Sequence, residues 1–159
     1  MTDMKARPGH LARRFQQIAV AIFHAEVEKV GSDLTPVQYA ALATLRGNPG
    51  IDQATLAAAI AYDRPTITGV IDRLEQKGLI TRRVSDRDRR ARVLQITEAG
   101  EAELDRIEPA VDAAQHVILR GLDADEAAVF LRLLHKAIDA TADLGRVLHR
   151  DPPGTGAVD

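Results

Sequence analysis

The sequence predicts a mainly α-helical protein that contains one two-stranded β-hairpin. Apolar residues recur at helical spacing along most of the chain, Gly and Pro interrupt this pattern, and one short stretch alternates in polarity as a β-hairpin does. The 159 residues suit one domain or one intertwined subunit. With 45 % apolar and 28 % charged residues, the composition is that of a soluble globular protein.

The first two predicted helices are separated by a clear boundary. The first covers about 9–30 and has an apolar stripe with steps of three and four residues, made of Leu11, Phe15, Ile18, Ile22 and Ala25. Thr35-Pro36-Val37-Gln38 is typical of a capping box with Pro in the first turn, and it predicts a second helix to about Arg46. Gly47-Asn48-Pro49-Gly50 ends that helix.

Two shorter helices follow, a tight turn apart. Asp52 is a candidate N-cap for a third helix over about 52–60, and Asp63 for a fourth over about 63–77. The fourth helix has an inward apolar face made of Ile67, Val70, Ile71 and Leu74. Gly78 is a candidate left-handed residue at its C-terminal end.

A β-hairpin and two long helices complete the chain. Residues 79–84 and 92–96 are β-rich and flank a charged tip, which predicts the hairpin. Thr97 is expected to cap a fifth helix over about 97–119, kinked at Pro109. The inward apolar stripe of this helix consists of Leu104, Ile107, Val111, Ala114 and Ile118. The capping-box pattern at Asp123 predicts a sixth helix, and we expect the tail 150–159 to be disordered.

The composition excludes several classes of function. The chain has no Cys, so disulfides, thiolate metal sites and cysteine redox sensing are ruled out. No apolar run approaches the roughly 18 residues of a membrane span, and the N-terminus lacks a signal-peptide core, so we expect a cytoplasmic protein without a membrane partner. The five His residues lack metal-ligand spacing and no catalytic motif is present. We therefore expect no enzyme, no cofactor and no metal.

Charge is distributed unevenly along the chain. Between Arg64 and Arg92 there are nine basic and four acidic residues, whereas from Thr97 to the end there are six basic and thirteen acidic residues. A basic block in an acidic chain is typical of a local surface that binds a polyanion. On charge alone, a merely solvated face is an equally good interpretation.

The third helix, the fourth helix and the basic hairpin together predict a winged helix-turn-helix. In that arrangement the N-terminal part of the second helix lies in the major groove of DNA. The outward residues of this part are the candidate contacts: Arg64, Pro65, Thr66, Thr68, Gly69, Asp72 and Arg73. Gly69 lowers the stability of the helix by about 1 kcal/mol relative to Ala, and either close approach to DNA or close packing would explain it.

The hairpin, or wing, is the stronger sign of DNA binding. Six arginines and two aspartates lie within 82–92, and Arg suits the negative potential of a narrow minor groove. The candidate contacts at the tip are Arg87, Asp88, Arg89 and Arg90, and Asp88 could hold Arg90 in a fixed pose. The alternative is a solvated helix followed by an exposed hairpin that charge keeps soluble.

Four stretches of this chain carry a wider pattern: Leu34-Thr35-Pro36-Val37-Gln38-Tyr39, Asp63-Arg64-Pro65-Thr66-Ile67-Thr68, Leu74-Glu75-Gln76-Lys77-Gly78-Leu79-Ile80, and Asp88-Arg89-Arg90-Ala91 leading to Leu94-Gln95-Ile96-Thr97-Glu98-Ala99-Gly100. In their order and spacing they resemble the MarR family of winged helix-turn-helix regulators, over about 10–147. The resemblance implies an obligate homodimer whose two winged domains read a pseudo-palindromic operator in double-stranded DNA. It also implies that Arg90 reaches the minor groove, while an acidic position of the family pattern falls on Ser85.

The resemblance also divides the chain by role. It implies an N-terminal dimerisation helix (1–34), a DNA-binding domain (35–97), C-terminal dimerisation helices (98–149) and the tail (150–159). Independently, the two apolar stripes near the ends of the chain present more surface than one small module can cover, and a helical dimer interface would bury them. An intramolecular bundle is the alternative.

The segment Pro8-Gly9-His10-Leu11-Ala12-Arg13-Arg14-Phe15-Gln16-Gln17 resembles a MarR subgroup that controls the catabolism of aromatic carboxylic acids. This implies that Arg13 grips the carboxylate of a ligand, because the guanidinium fork meets a carboxylate with two parallel hydrogen bonds. Gln17 is a further candidate. The subgroup often has a His where this chain has Ala19, so Tyr39 or His10 is a candidate substitute. The alternative is that Arg13 and Arg14 pair with acidic groups of the helical domain.

The sequence therefore predicts a DNA-binding transcriptional repressor, released by a small aromatic carboxylate bound between the dimerisation and DNA-binding domains. A winged-helix protein-interaction module without a ligand response is the alternative. A steep fall of duplex affinity with salt would favour the repressor, because it reports contacts with phosphates.

Overall fold

The described residues form six helices and one β-hairpin in the predicted order. The structure is a computed structural model that describes residues 7–60 and 64–148, without the side chains of 64 and 145–148. The elements are α1 (Pro8–Lys29), α2 (Pro36–Gly47), α3 (Gln53–Ala59), α4 (Arg64–Gln76), β1 (Ile80–Val84), β2 (Arg92–Ile96), α5 (Glu98–Ile118) and α6 (Ala124–Leu148). The predicted cap Asp63 and the predicted disordered tail lie outside the described residues. The chain forms two compact units, one ending at Ile118 and the other beginning at Leu119.

The predicted helix caps are present. Thr35 Oγ1 accepts a hydrogen bond from the Gln38 amide at 3.3 Å, while Gln38 Oε1 accepts one from the Thr35 amide at 3.1 Å. Asp52 Oδ1 caps α3 by accepting from the Thr55 amide at 2.7 Å. Each cap satisfies backbone N–H groups that the first turn of a helix leaves without partners. The short-range signals in the sequence therefore fix where these helices begin.

The core of the first unit joins α1 and α5 to the winged module. The predicted inward faces of α4 and α5 are buried, and Phe23 and Val27 of α1 are buried with them. The predicted stripe of α1 is on another face, where Leu11 is 50 % and Ile18 is 49 % exposed. α1 therefore carries two apolar faces, of which the chain itself covers only one.

The hairpin is antiparallel and its base is attached to the loop before α3. Ile80 pairs with Ile96 at the base, and Val84 pairs with Arg92 near the tip. The Leu94 amide donates to the carbonyl of Ile51 at 2.9 Å, so β2 also has a partner on its outer edge. An isolated two-stranded hairpin is only marginally stable, and this extra pairing fixes the wing to the core.

α5 begins at a close approach to the turn between α4 and β1. The Thr97 amide donates to the carbonyl of Leu79 at 3.0 Å, and the Thr97 hydroxyl donates to the carbonyl of Gly78 at 2.7 Å. The same hydroxyl accepts from the Gly100 amide at 3.1 Å, as the predicted cap requires. A Cβ on Gly100 would overlap the Leu79 carbonyl oxygen and lie 2.6 Å from Ile96 Cγ1. Only glycine fits at this point.

Ion pairs hold α2 against α5. Arg46 lies 2.9 Å from Asp105 and 3.1 Å from Glu108, with Glu101 at 4.0 Å. The hydrogen bond from Arg46 to Glu108 raises the pKa of the guanidinium, which stays charged at any physiological pH. These pairs neutralise part of the acidic surface of α5.

The second unit contains α6, which is amphipathic and exposed. Its start is a reciprocal capping box, in which Asp123 Oδ1 accepts from the Glu126 amide at 2.9 Å and Glu126 Oε2 accepts from the Asp123 amide at 3.0 Å. Several large apolar side chains of α6 are more than a third exposed, namely Val129, Leu131, Leu133, Leu134, Ile138 and Leu144. Such a contiguous set of exposed apolar residues is typical of a surface that a partner covers.

We expect Gly100→Ala to destabilise the protein by about 3 kcal/mol, because the added Cβ overlaps a backbone oxygen that cannot move without displacing the wing. The measurement is chemical denaturation followed by circular dichroism. Gly47→Ala is the matched control, because no atom lies within 4 Å of a Cβ built at that helical glycine. Equal stability of the two variants would contradict the prediction.

Candidate functional site

The outward face of α4 is exposed as the sequence predicts. Ile67, Ile71 and Leu74 are fully buried, whereas the predicted contact residues Pro65, Thr66, Thr68, Gly69 and Arg73 are exposed. Arg64 is the first residue of the helix, and its side chain lies outside the described part of the structure. α4 therefore presents a polar and basic face opposite its buried one.

Gln53 of α3 positions one of these residues, a role that was not predicted from the sequence. Gln53 Nε2 donates to Thr68 Oγ1 at 3.0 Å, across the turn between the two helices. Because Gln53 lies just after the α3 cap, it brings a second polar side chain to the exposed face. Exposed Gln residues are common, so only the three-dimensional contact distinguishes this one.

Gly69 has open space around its α-carbon. A Cβ built there meets no atom within 4 Å, and its φ is not in the left-handed range. The interpretation that close packing within the chain requires glycine at this position is therefore wrong. Neither backbone conformation nor internal packing explains why this helix contains Gly.

Backbone hydrogen bonds order the tip of the wing. Ser85 Oγ accepts from the amides of Arg87 at 3.2 Å and Asp88 at 3.3 Å. Asp88 Oδ1 accepts from the Arg90 amide at 2.9 Å, and the Ala91 amide donates to the Asp88 carbonyl at 2.9 Å. Asp88 thus fixes the backbone of Arg90, whereas a contact between Asp88 and the Arg90 guanidinium stays a prediction.

Part of the basic block is neutralised by acidic partners. Arg82 lies 2.9 Å from Asp72 and 2.8 Å from Glu75, which links β1 to α4. The carboxylate of Asp72, one of the candidate contacts on α4, therefore already has a cationic partner within the chain. Lys77 lies 2.5 Å from Asp33, and Arg83 pairs with Asp86 at 3.3 Å. These three cations therefore form ion pairs within the chain. That Arg82 joins β1 to α4 was not predicted from the sequence.

The remaining cations have no acidic partner among the described residues. They are Arg73 on α4 and the wing arginines Arg87, Arg89, Arg90 and Arg92, all of them exposed. Within the basic block, Lys77, Arg82 and Arg83 thus have acidic partners, whereas the described arginines on α4 and in the outer part of the wing have none. Unpaired arginines on one module form a surface suited to phosphates and base edges.

A cleft of about 500 Å³ separates the wing tip from α3 and α4. Gln53, Ala57 and Thr68 line one wall, and Asp88 and Arg90 line the other. Asp52 lies at the base, where the hydrogen bond from the Thr55 amide lowers the pKa of its carboxyl. The cleft brings the predicted contacts of the helix and of the wing to one continuous surface.

The predicted ligand residues lie on α1 and, in the case of Tyr39, on α2. Arg13 donates to Gln17 Oε1 at 3.3 Å, both side chains are exposed, and His10 is half-buried one turn earlier. Tyr39 instead packs on Phe23, with ring centroids 6.0 Å apart. Phe23 is ten residues beyond Arg13, roughly 15 Å along the helix axis. The structure therefore shows a direct contact between Arg13 and Gln17, whereas the contact shown for Tyr39 of α2 is with Phe23.

Two further properties bear on the ligand residues. Burial, reinforced by the nearby Glu108, raises the pKa of Tyr39, so its phenol stays neutral and can donate a hydrogen bond. In the described part of the chain neither Arg13 nor Arg14 has a carboxylate partner, which does not support the alternative that they form ion pairs within one subunit.

Metal binding and membrane insertion find no support in residues 7–60 and 64–148. These residues contain no group of three or more His, Asp or Glu side chains that could hold a metal ion. No helix in the same part of the chain is long and apolar enough to cross a membrane.

Comparison with known proteins identifies the family. A family model described as the MarR family matches residues 34–91. The transcriptional repressor NicR of Pseudomonas putida is 33 % identical over 143 residues, which cover 90 % of this chain and 89 % of that protein. The chain belongs to the MarR family. It is a DNA-binding transcriptional regulator and not an enzyme, as the sequence predicted.

Solved structures of other MarR-type regulators confirm the winged helix-turn-helix fold. The PcaV regulator of Streptomyces coelicolor, in complex with its natural ligand, has a TM-score of 0.82 and 35 % identity, covering 89 % of this chain and 98 % of that one. BpsR of Bordetella bronchiseptica has a TM-score of 0.81 and 29 % identity, covering 87 % and 98 %. The DNA binding of BpsR is regulated by 6-hydroxynicotinic acid.

Proposed function

We propose that this MarR-family protein is a repressor whose homodimer binds a pseudo-palindromic operator and releases it when a small aromatic carboxylate binds. The observation that carries the proposal is the division of the basic block, which leaves exposed arginines without acidic partners on α4 and the wing tip. As a DNA-binding regulator it would act in the cytoplasm, where operator DNA is accessible.

The outward face of α4 lies in the major groove in this proposal, and the wing tip lies along the minor groove. The DNA contacts are Arg64, Pro65, Thr66, Thr68, Gly69, Arg73, Arg87, Asp88, Arg89 and Arg90. The Gln53 contact supports this assignment, because it holds the Thr68 hydroxyl at the surface of the cleft. The Asp88 carboxylate contributes indirectly, since it fixes the backbone from which Arg90 extends.

A second copy of the chain covers the exposed apolar faces of α1 and α6 in this proposal. Leu11 and Ile18 on α1 and the apolar set on α6 are exposed in the single chain, although burying each side chain is worth about 1.5–3 kcal/mol. Two copies place two winged modules on successive turns of DNA, which accounts for a pseudo-palindromic site. The division into dimerisation segments (1–34 and 98–149) and a DNA-binding domain (35–97) is part of this proposal.

Arg13 receives the carboxylate of the ligand in the same proposal. Gln17 accepts one N–H of its guanidinium at 3.3 Å, which pre-orients the group and leaves other N–H donors for the ligand. His10, one turn before Arg13 on α1, and Tyr39 of α2, which packs on Phe23, are the candidates for a polar substituent on the ring. The ligand of BpsR, 6-hydroxynicotinic acid, is a heteroaromatic carboxylic acid with a hydroxyl group, and it supports this ligand class.

The test of the whole proposal is to select duplexes from a random 30-bp library with the full-length protein. The selected duplex is then titrated by fluorescence anisotropy across a salt series, with and without 6-hydroxynicotinate and a panel of hydroxybenzoates. We expect a palindromic consensus, a steep fall of affinity with salt and release by at least one acid. No enrichment of any sequence would contradict DNA recognition, and enrichment without release by any acid would contradict only the ligand class.

We expect Arg90→Ala to weaken binding to the selected duplex by about 1–3 kcal/mol, because a side chain at the wing tip loses its groove contact. The salt dependence of binding should become shallower by about one phosphate contact if the guanidinium also neutralises a phosphate. Arg120→Ala is the matched control, as an exposed arginine outside the winged module. Equal affinity of the two variants would remove Arg90 from the interface.

Ile138→Asp is expected to convert the dimer into a monomer, because this side chain is 54 % exposed in the single chain and would be buried against a second copy. Sedimentation velocity measures the change, and circular dichroism checks that the helices persist. Lys136→Asp is the control, since it introduces the same carboxylate roughly 200° away around α6. A dimer of unchanged affinity in Ile138→Asp would place the interface elsewhere.

Arg13→Ala should lose about 2–4 kcal/mol of affinity for the aromatic acid, because the ligand carboxylate would be desolvated without its charged partner. Isothermal titration calorimetry gives this value, and operator affinity without ligand should stay within a few-fold. Arg14→Ala, the adjacent arginine about 100° around α1, is the control. Loss of ligand binding in Arg14→Ala alone would assign the carboxylate to Arg14, and joint loss of dimerisation and DNA binding in Arg13→Ala would make Arg13 a structural residue.

A further inference from the structure

Gly69 is a glycine that the folded chain does not need. It lies in the middle of α4, a helix of 13 residues, where glycine is less favourable than alanine because it loses more backbone entropy on folding. Its φ is not in the left-handed range, and a Cβ built on it meets no atom within 4 Å. Gly100 shows the contrast, since there the surrounding atoms leave no room for a Cβ. Neither the backbone conformation nor the packing of the described residues therefore requires glycine at position 69.

The surroundings of Gly69 indicate the chemistry of what approaches it. Its neighbours on the helix surface are Pro65, Thr66 and Arg73, four and three residues before it and four after it, and all three are exposed. The nearby Asp72 carboxylate is turned to Arg82. The face around Gly69 is therefore polar and cationic, which favours an anionic, hydrogen-bonding partner over an apolar surface of a second subunit.

We propose that Gly69 is the point where the backbone of α4 comes closest to DNA, so that the missing Cβ sets how deeply the helix enters the major groove. This inference rests on the proposed DNA-binding function and assigns Gly69 the role of a positioning residue. At that depth Thr66 and Arg73, on either side, reach base edges. A side chain at position 69 holds the helix away from the groove floor and lengthens both sets of contacts together.

The test compares Gly69→Ala and Gly69→Leu with the wild type in the full-length protein, using the duplex that the wild type selects and a scrambled duplex of equal length. Gly69→Ala should raise the melting temperature by about 2–4 °C, since alanine is the better helix former. It should weaken binding to the selected duplex about tenfold, and Gly69→Leu should weaken it by about a hundredfold or more. Binding to the scrambled duplex at low salt should stay within a few-fold, because phosphate contacts tolerate a small outward shift.

Gly47→Ala is the matched control, since it fills an equally open helical glycine outside α4 and should leave both affinities unchanged. Gly69 variants that bind the selected duplex as tightly as the wild type would overturn the inference while the proposed function stands. Equal losses on the selected and scrambled duplexes would also overturn it, because that pattern is a general block and not a change of depth. A wild type that selects no duplex would contradict the proposed function itself.

Discussion

The position of the wing depends on one close approach, where the first turn of α5 meets the turn between α4 and β1. The Thr97 hydroxyl serves two backbone groups there, and the absence of a side chain on Gly100 lets the helix lie against the Leu79 carbonyl. Four elements converge at this point, because β1 begins where α4 ends and α5 begins where β2 ends. The wing and α4 are therefore held as one body on the end of α5.

The second organising feature is that some basic side chains lie close enough to a carboxylate to form an ion pair and others do not. Arg82 and Lys77 are neutralised by carboxylates close enough to pair, and the acids on α5 engage Arg46. Within the block from Arg64 to Arg92, the described cations that have no acidic partner lie on α4 and in the outer part of the wing. The net charge of −2 therefore conceals a localised positive surface, and a polyanion is attracted to this face in preference to the acidic α5 side.

Much of the fold could be predicted from the sequence because its signals are local. The caps at Thr35, Asp52 and Asp123 act within four residues, and the inward stripe of α5 follows from helical periodicity alone. Contacts between distant segments could not be predicted in this way. The pairing of Asp72 with Arg82 needs two elements brought together, and so does the burial of Phe23 in place of the exposed stripe of α1.

The same contrast between local signals and contacts of distant segments applies to the candidate site. The sequence located the residues of α4 and the wing tip, since their order along the chain is the signature of the motif. It could not show that Gln53 supports Thr68, that Tyr39 packs on Phe23, or that Gly69 has open space around it. The pairing of β2 with Ile51 has one more consequence, because an unpaired strand edge is a template for aggregation. One edge of the wing is closed at its base by this bond, and the other carries the charged Arg82 and Arg83, so the wing can project into solvent without recruiting a strand from another molecule.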